Sequence, residues 1–142
     1  MPISIQVTAG LLTAQGEREL FPRVARALLD VHGLAGNPFM EPNVIGHLIT
    51  TPEATSYAGG VPGSLAIVEV KVPAITFPTP AVQQAFIARV TDLIDELKAG
   101  DHPRARTYVN VTYTVDGAWG IAGQAYTNAA LGQAVAGGAT PR

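Results

Sequence analysis

Residues 3–8 (ISIQVT) alternate apolar with polar side chains, the period of a strand buried on one face. After Thr13, an N-cap residue by type, Leu20, Val24, Leu28 and Val31 recur at helical spacing among Arg and Glu, and Gly33 supplies a stop. This predicts a helix, with a kink or a late start at Pro22, whose missing N–H removes an interior hydrogen bond. Asn37-Pro38 and Pro42 interrupt the chain before residues 43–50 (NVIGHLIT), which read as a second strand.

A Gly/Pro-rich hinge, Gly59-Gly60-Val61-Pro62-Gly63, precedes a second round in the same order. Residues 65–72 (LAIVEVKV) carry a β-branched run continuous enough for a strand buried on both faces. Thr79-Pro80 reads as a cap followed by proline at the first helical position, and Val82, Phe86, Val90, Leu93, Ile94 and Leu97 form an apolar stripe ending at Gly100. Residues 107–114 (TYVNVTYT) alternate as a further strand. Strand–helix–strand therefore occurs twice within one domain, over about 2–58 and 64–128, and each helix is long enough to cross between parallel strands. The expected fold class is α+β: a four-stranded mixed sheet with two helices on one face. Behind Asp116, residues Trp119, Gly120, Gly123 and Tyr126 suggest a short hairpin that could extend a neighbour's sheet edge. From about Gly132 the Ala/Gly-rich segment to Arg142 has little to bury and is expected to be mobile.

Composition narrows the partners. A chain of 142 residues fits one domain and buries roughly 68% of its unfolded surface, so it needs neither disulfide nor structural metal. Cysteine is absent, which removes thiolate nucleophiles and cysteine-ligated metal centres. Nine Lys and Arg against eleven Asp and Glu leave a net charge of −2, no footprint for nucleic acid. The charged fraction, 14% against about 25% in an ordinary soluble domain, is too low to cover a monomer comfortably and points to a homo-oligomer. No run approaches 18 apolar residues and Met1-Pro2-Ile3-Ser4 opens no signal segment, so no membrane partner and a cytoplasmic location are expected.

The chemistry on offer is sparse. There is no Gly-x-Ser-x-Gly elbow, His32, His47 and His102 lack metal-ligand spacing, and Gly59-Gly60 precedes a strand where a phosphate loop would follow one. No cofactor is expected. What stands out is Pro2. Methionine before proline is readily excised in cells, and the product would begin with a secondary amine, which titrates near pH 8 in water and lower in an apolar pocket or beside a cation. Such an amine can take a proton from carbon beside a carbonyl, or add to the carbonyl itself. The plainer reading is a proline that opens an edge strand, where a missing N–H does no harm.

Pro2 ahead of an alternating strand, the duplicated strand–helix–strand plan, and Arg106-Thr-Tyr108-Val-Asn110 leading to Trp119 together resemble the tautomerase superfamily, in its long, fused-repeat form. The resemblance spans nearly the whole chain. It implies a homotrimer with amino-terminal prolines in pockets between subunits, acting as base in tautomerases and as acid in hydratase-type members.

Residue by residue, the resemblance makes Pro2 the catalytic proline and Tyr108 and Asn110 the hydroxyl and amide directed at substrate oxygen from across a subunit boundary. A polar surface strand is the alternative for the last two. Trp119 matches a pocket aromatic, with core or interface packing as the alternative. Lys71, in Lys71-Val72-Pro73, stands where the decarboxylase branch has one arginine of an Arg-Pro-Arg run; it would hold a substrate carboxylate or pair with Glu69 on the same strand face. The lysine that the migration-inhibitory-factor branch carries after its first helix is replaced by Gly33-Leu34, and the dehalogenase branch's arginine pair and glutamate are not recognisable. His47 reads as a hydrogen-bonded core histidine, while Arg104 and Arg106 would rim the pocket or face solvent.

The implied activity is a cofactor-independent keto–enol tautomerase of small 2-keto or enol carboxylic acids with Pro2 as general base. The alternatives are a decarboxylase or hydratase of a three-carbon acid, and a non-catalytic trimeric binding protein of the same fold.

Overall fold

The computed structural model describes residues 1–138. Strand β1 (Pro2–Thr8) leads into helix α1 (Ala14–Asp30), then β2 (Ile45–Thr51). Two short strands, β3 (Tyr57–Ala58) and β4 (Val61–Pro62), precede β5 (Ala66–Pro73), helix α2 (Pro80–Leu97) and β6 (Thr107–Thr114). The chain closes with β7 (Trp119–Ile121), β8 (Gln124–Tyr126) and helix α3 (Asn128–Gly137).

The caps fall where residue type demands. The Thr13 hydroxyl accepts the Gly16 N–H at 2.9 Å, and the Thr79 hydroxyl accepts that of Val82 at 3.3 Å with Pro80 opening α2. Helix α1 starts at Ala14 and runs as one element across Pro22, so the late start does not occur. It ends where Gly33 takes φ +62°, its N–H returning to the Asp30 carbonyl while Leu34 N–H reaches that of Leu29.

The main sheet has the order β2-β1-β5-β6. Each half contributes a parallel pair, β1 with β2 and β5 with β6, and the halves meet antiparallel at β1 and β5, giving the expected mixed sheet. One face packs on the helices. Ile3, Ile5 and Val7 of β1 and Val68, Val70 and Val72 of β5 are buried against Leu20, Val24 and Leu28 of α1 and Phe86, Val90 and Ile94 of α2. Gly46 is needed here, because a Cβ at that position would lie 1.8 Å from the Ile3 carbonyl oxygen and 2.7 Å from the Phe21 ring.

The opposite face is open, and several expectations change on it. Glu69 and Lys71 are exposed, so β5 is buried on one face within the chain and not on both. β2 is an edge strand with Ile45 55% exposed and His47 also exposed, so His47 is not a core histidine. The glycine-rich hinge is a tight hairpin: Gly59 and Gly60 take φ +60° and +80° between the paired strands β3 and β4, the two positive angles of a type I′ turn. The expected hairpin beyond Asp116 is β7 and β8, with Trp119 opposite Tyr126. In place of the tail expected from about Gly132 stands α3, through Gly137; residues 139–142 of that tail lie outside the described residues. α3 is docked by buried Leu131 and by the Asn37 side-chain amide, which donates to the Val135 carbonyl at 3.0 Å.

Candidate active site

Alternation puts Pro2 and Lys71 on the open face at neighbouring positions, one step beyond the Ile3–Val70 pair. Both line a cavity of about 380 Å³ bounded by the β7 hairpin through Ala118 and Trp119 and by Thr114 at the end of β6. Among the described residues Lys71 is the single charged side chain in its lining. Among the described residues Lys71 has no ion-pair partner, so the Glu69 pairing is not formed. Trp119 is buried at the foot of the hairpin and presents part of its surface to this cavity, so packing and lining combine in one side chain. A groove of about 410 Å³ continues from Pro2 along the sheet past Ser4, His47 and Glu69. Ile45, the partner of Pro2 across β1 and β2, and His47 and Thr114, which line the groove and the cavity, are the surroundings of Pro2 that reading the sequence missed.

Tyr108 and Asn110 occupy the same open face but not the same cavity. The register sets Asn110 beside Glu69, which is beside Ser4, and Tyr108 beside Ile67, which is beside Gln6. Asn110 is therefore two strands across and two residues along from Pro2, roughly 10 Å and 7 Å, with Tyr108 roughly 7 Å further. Tyr108 is 53% exposed, and neither side chain hydrogen-bonds within the described residues.

In the structure Met1 precedes Pro2, so the Pro2 nitrogen is an amide. Met1 is buried. Its amine donates to the Asn43 carbonyl, its own carbonyl accepts from Ile45 N–H at 3.2 Å, and its sulfur accepts from the Thr76 hydroxyl at 3.5 Å. Burial pushes the amine down from 8.0 to about 5.

The remaining candidates are placed elsewhere. Arg104 is held 2.7 Å from both Asp92 and Asp95 on α2 and does not rim the Pro2 cavity; these carboxylates hold its pKa above the usual value. His102 is buried between the Ser64 hydroxyl, 2.8 Å from Nδ1, and the Thr107 hydroxyl, 2.9 Å from Nε2, tying the loop before β5 to the start of β6. Desolvation, with Lys98 nearby, lowers its pKa. Among the described residues no group of three His, Asp or Glu could hold a metal ion, and no helix is long and apolar enough to cross a membrane.

No family model matches the chain, and no curated protein does so by sequence. Solved structures do. The symmetric trimer of wild-type fused 4-OT superposes with a TM-score of 0.74 at 17% identity, over 93% of this chain and 99% of that one. Pt0534, inactivated by 2-oxo-3-pentynoate, gives 0.73 at 20% identity over 93% and 99%. FG41 malonate semialdehyde decarboxylase, inhibited by 3-bromopropiolate, gives 0.65 at 18% identity over 99% and 100%. These are tautomerase-superfamily structures, and the chain has their fold.

Proposed function

We propose that, once Met1 is excised, this chain is a homotrimeric, cofactor-independent tautomerase of small 2-oxo and enol carboxylic acids. The observation that carries the reading is the Pro2 cavity, with an imino acid ring, one unpaired ammonium and no acidic residue in its lining. Such a lining favours a carboxylate. Lys71 would hold that carboxylate, and the Pro2 nitrogen would take the enol proton and return it to C3. Tyr108 and Asn110 of a neighbouring subunit would hydrogen-bond the oxygen on which charge develops. Their distance from Pro2 within one chain, and the exposed Ile45, Ile49 and Tyr108 on the same sheet face, support a site completed by assembly. Among the structures sharing the fold, fused 4-OT is a trimer and Pt0534 is inactivated by a 2-oxo acid.

Once Met1 is gone the prolyl nitrogen would lie beside Lys71, whose ammonium disfavours a second positive charge and so favours a neutral base at pH 7. The test is turnover of an enol acid by the processed chain, by Pro2→Ala, and by a chain that retains Met1. General acid–base catalysis contributes about 10²–10⁴-fold, so both altered forms should lose at least about 100-fold in kcat/KM. Unchanged turnover in either overturns the role of the amine.

A second reading, decarboxylation of a three-carbon 3-oxo acid with protonated Pro2 as acid, is supported by the superposition with malonate semialdehyde decarboxylase over the whole of that chain. It asks one ammonium to supply the polarisation. NMR detection of carbon dioxide release from malonate semialdehyde would favour it over the tautomerase.

A further inference from the structure

Met1 lines two cavities and is the single residue they share. On one side lies the Pro2 and Lys71 cavity. On the other is a second cavity of about 240 Å³, lined chiefly by Leu34, Met40, Ile75, Leu131 and Val135, with His32 at its polar side. The Met1 side chain is buried between them. Two buried side-chain polar atoms among the described residues have no hydrogen-bond partner, Nε2 of His32 and Oγ1 of Thr114, and each belongs to a residue that lines one of the two cavities. A buried polar group left unpaired is a sign that something else completes it.

Resting on the proposed processing at Met1, we infer that excision joins these cavities into one pocket whose inner compartment takes the apolar tail of the substrate, with His32 as a specificity-determining residue at its far end. The substrate class is then a 2-oxo or enol acid with an unbranched tail of several carbons. The carboxylate sits at Lys71, the reacting carbon at Pro2 and the tail where the methionine side chain lay. A methionine side chain is itself a four-atom apolar tail, so the vacated volume sets the preferred length. Burial lowers the His32 pKa, leaving the ring neutral and able to donate or accept at the tail's end.

The experiment uses the processed full-length chain with pyruvate, 2-oxobutanoate, 2-oxohexanoate and 2-oxooctanoate. Trp119, the chain's one tryptophan, reports binding by fluorescence, and deuterium exchange at C3 reports chemistry. Affinity should rise about fourfold per methylene up to 2-oxohexanoate, the factor equivalent to ~0.8 kcal/mol per buried CH₂, and then level off. Gly132→Leu places a side chain in the inner compartment from α3, where a Cβ would make an ordinary contact, 3.6 Å from Ile75 Cδ1. This variant should lose the gain with tail length and still bind pyruvate like wild type, and that retained binding controls for folding. Gly132→Ala should fall between. His32→Phe should raise affinity for 2-oxohexanoate relative to its 6-hydroxy analogue. Equal affinity for all four acids, or a length preference surviving Gly132→Leu, overturns the inner compartment even if exchange proceeds. A length preference without exchange leaves the compartment standing and removes the tautomerase reading.

Discussion

Retention of Met1 carries a measurable penalty that depends on pH. The unfolded chain binds the amine's proton below pH 8.0, whereas burial holds the folded form unprotonated down to about 5. Across that window the unfolded state holds more protons, so the stability of the methionine-bearing chain rises with pH. Three pH units at ~1.36 kcal/mol each amount to about 4 kcal/mol over the whole range. His32 and His102, both with lowered pKa, act in the same direction but below their ordinary 6.5. Asp95 and Glu19, held low first by hydrogen bonds from Arg104 and Gln15, act in more acid solution still. Between pH 6.5 and 8 the amine alone among these shifted groups contributes, about 2 kcal/mol. With a urea m-value of about 2 kcal/mol/M, the unfolding midpoint of chain produced under methionine aminopeptidase inhibition should move up by about 1 M over that interval. A midpoint that stays within about 0.3 M would refute the burial of the amine.

Lys71→Ala should raise KM for 2-oxo acids by about 10- to 100-fold, the worth of a charge-assisted hydrogen bond, while Lys71→Arg retains most of the affinity; steady-state kinetics decide, and equal KM values would separate Lys71 from the carboxylate. Pro2→Ala and Asn110→Ala chains, each weak alone, should regain activity when unfolded and refolded together, because some mixed trimers contain one site with both native residues. Activity no better than the average of the two parents would place Asn110 outside the site. Gly46→Ala should prevent stable folding, its methyl falling on the Ile3 carbonyl, and a chain with native circular dichroism and an unaltered midpoint would count against the β1–β2 register.

Much of this architecture is legible in local pattern. The period-two runs in β1 and β6, the threonine caps at positions 13 and 79, and the helical stripe from Val82 to Leu97 are each decided by neighbours close in sequence. α3 is not, because its alanines and glycines carry almost no contrast between faces and Leu131 is its one fully buried anchor. The Gly59-Gly60 pair could have been read as a hairpin, since two adjacent glycines between short extended segments match a type I′ turn. β2 misleads for another reason: its apolar residues look like core, yet it is the sheet's edge and its open face has no cover among the described residues. At the site, chemistry singled out Pro2 and Lys71 individually, but their adjacency depends on the antiparallel β1–β5 register, which no local pattern encodes. Met1 as a core side chain was equally invisible, since burial of a chain terminus is decided by the elements that enclose it.

The doubled plan also limits how many reactive centres one molecule can carry. The second half opens with β5, and the residue before it, Leu65, is bonded on both sides, so nothing there can become an amine. At most one half of each chain can supply a basic chain-start nitrogen, and a three-fold assembly would hold three such centres for six strand–helix–strand units. The second half of each chain would bring Lys71, Tyr108 and Asn110 instead, so duplication divides the labour, with the base on one copy of the plan and the substrate's handholds on the other.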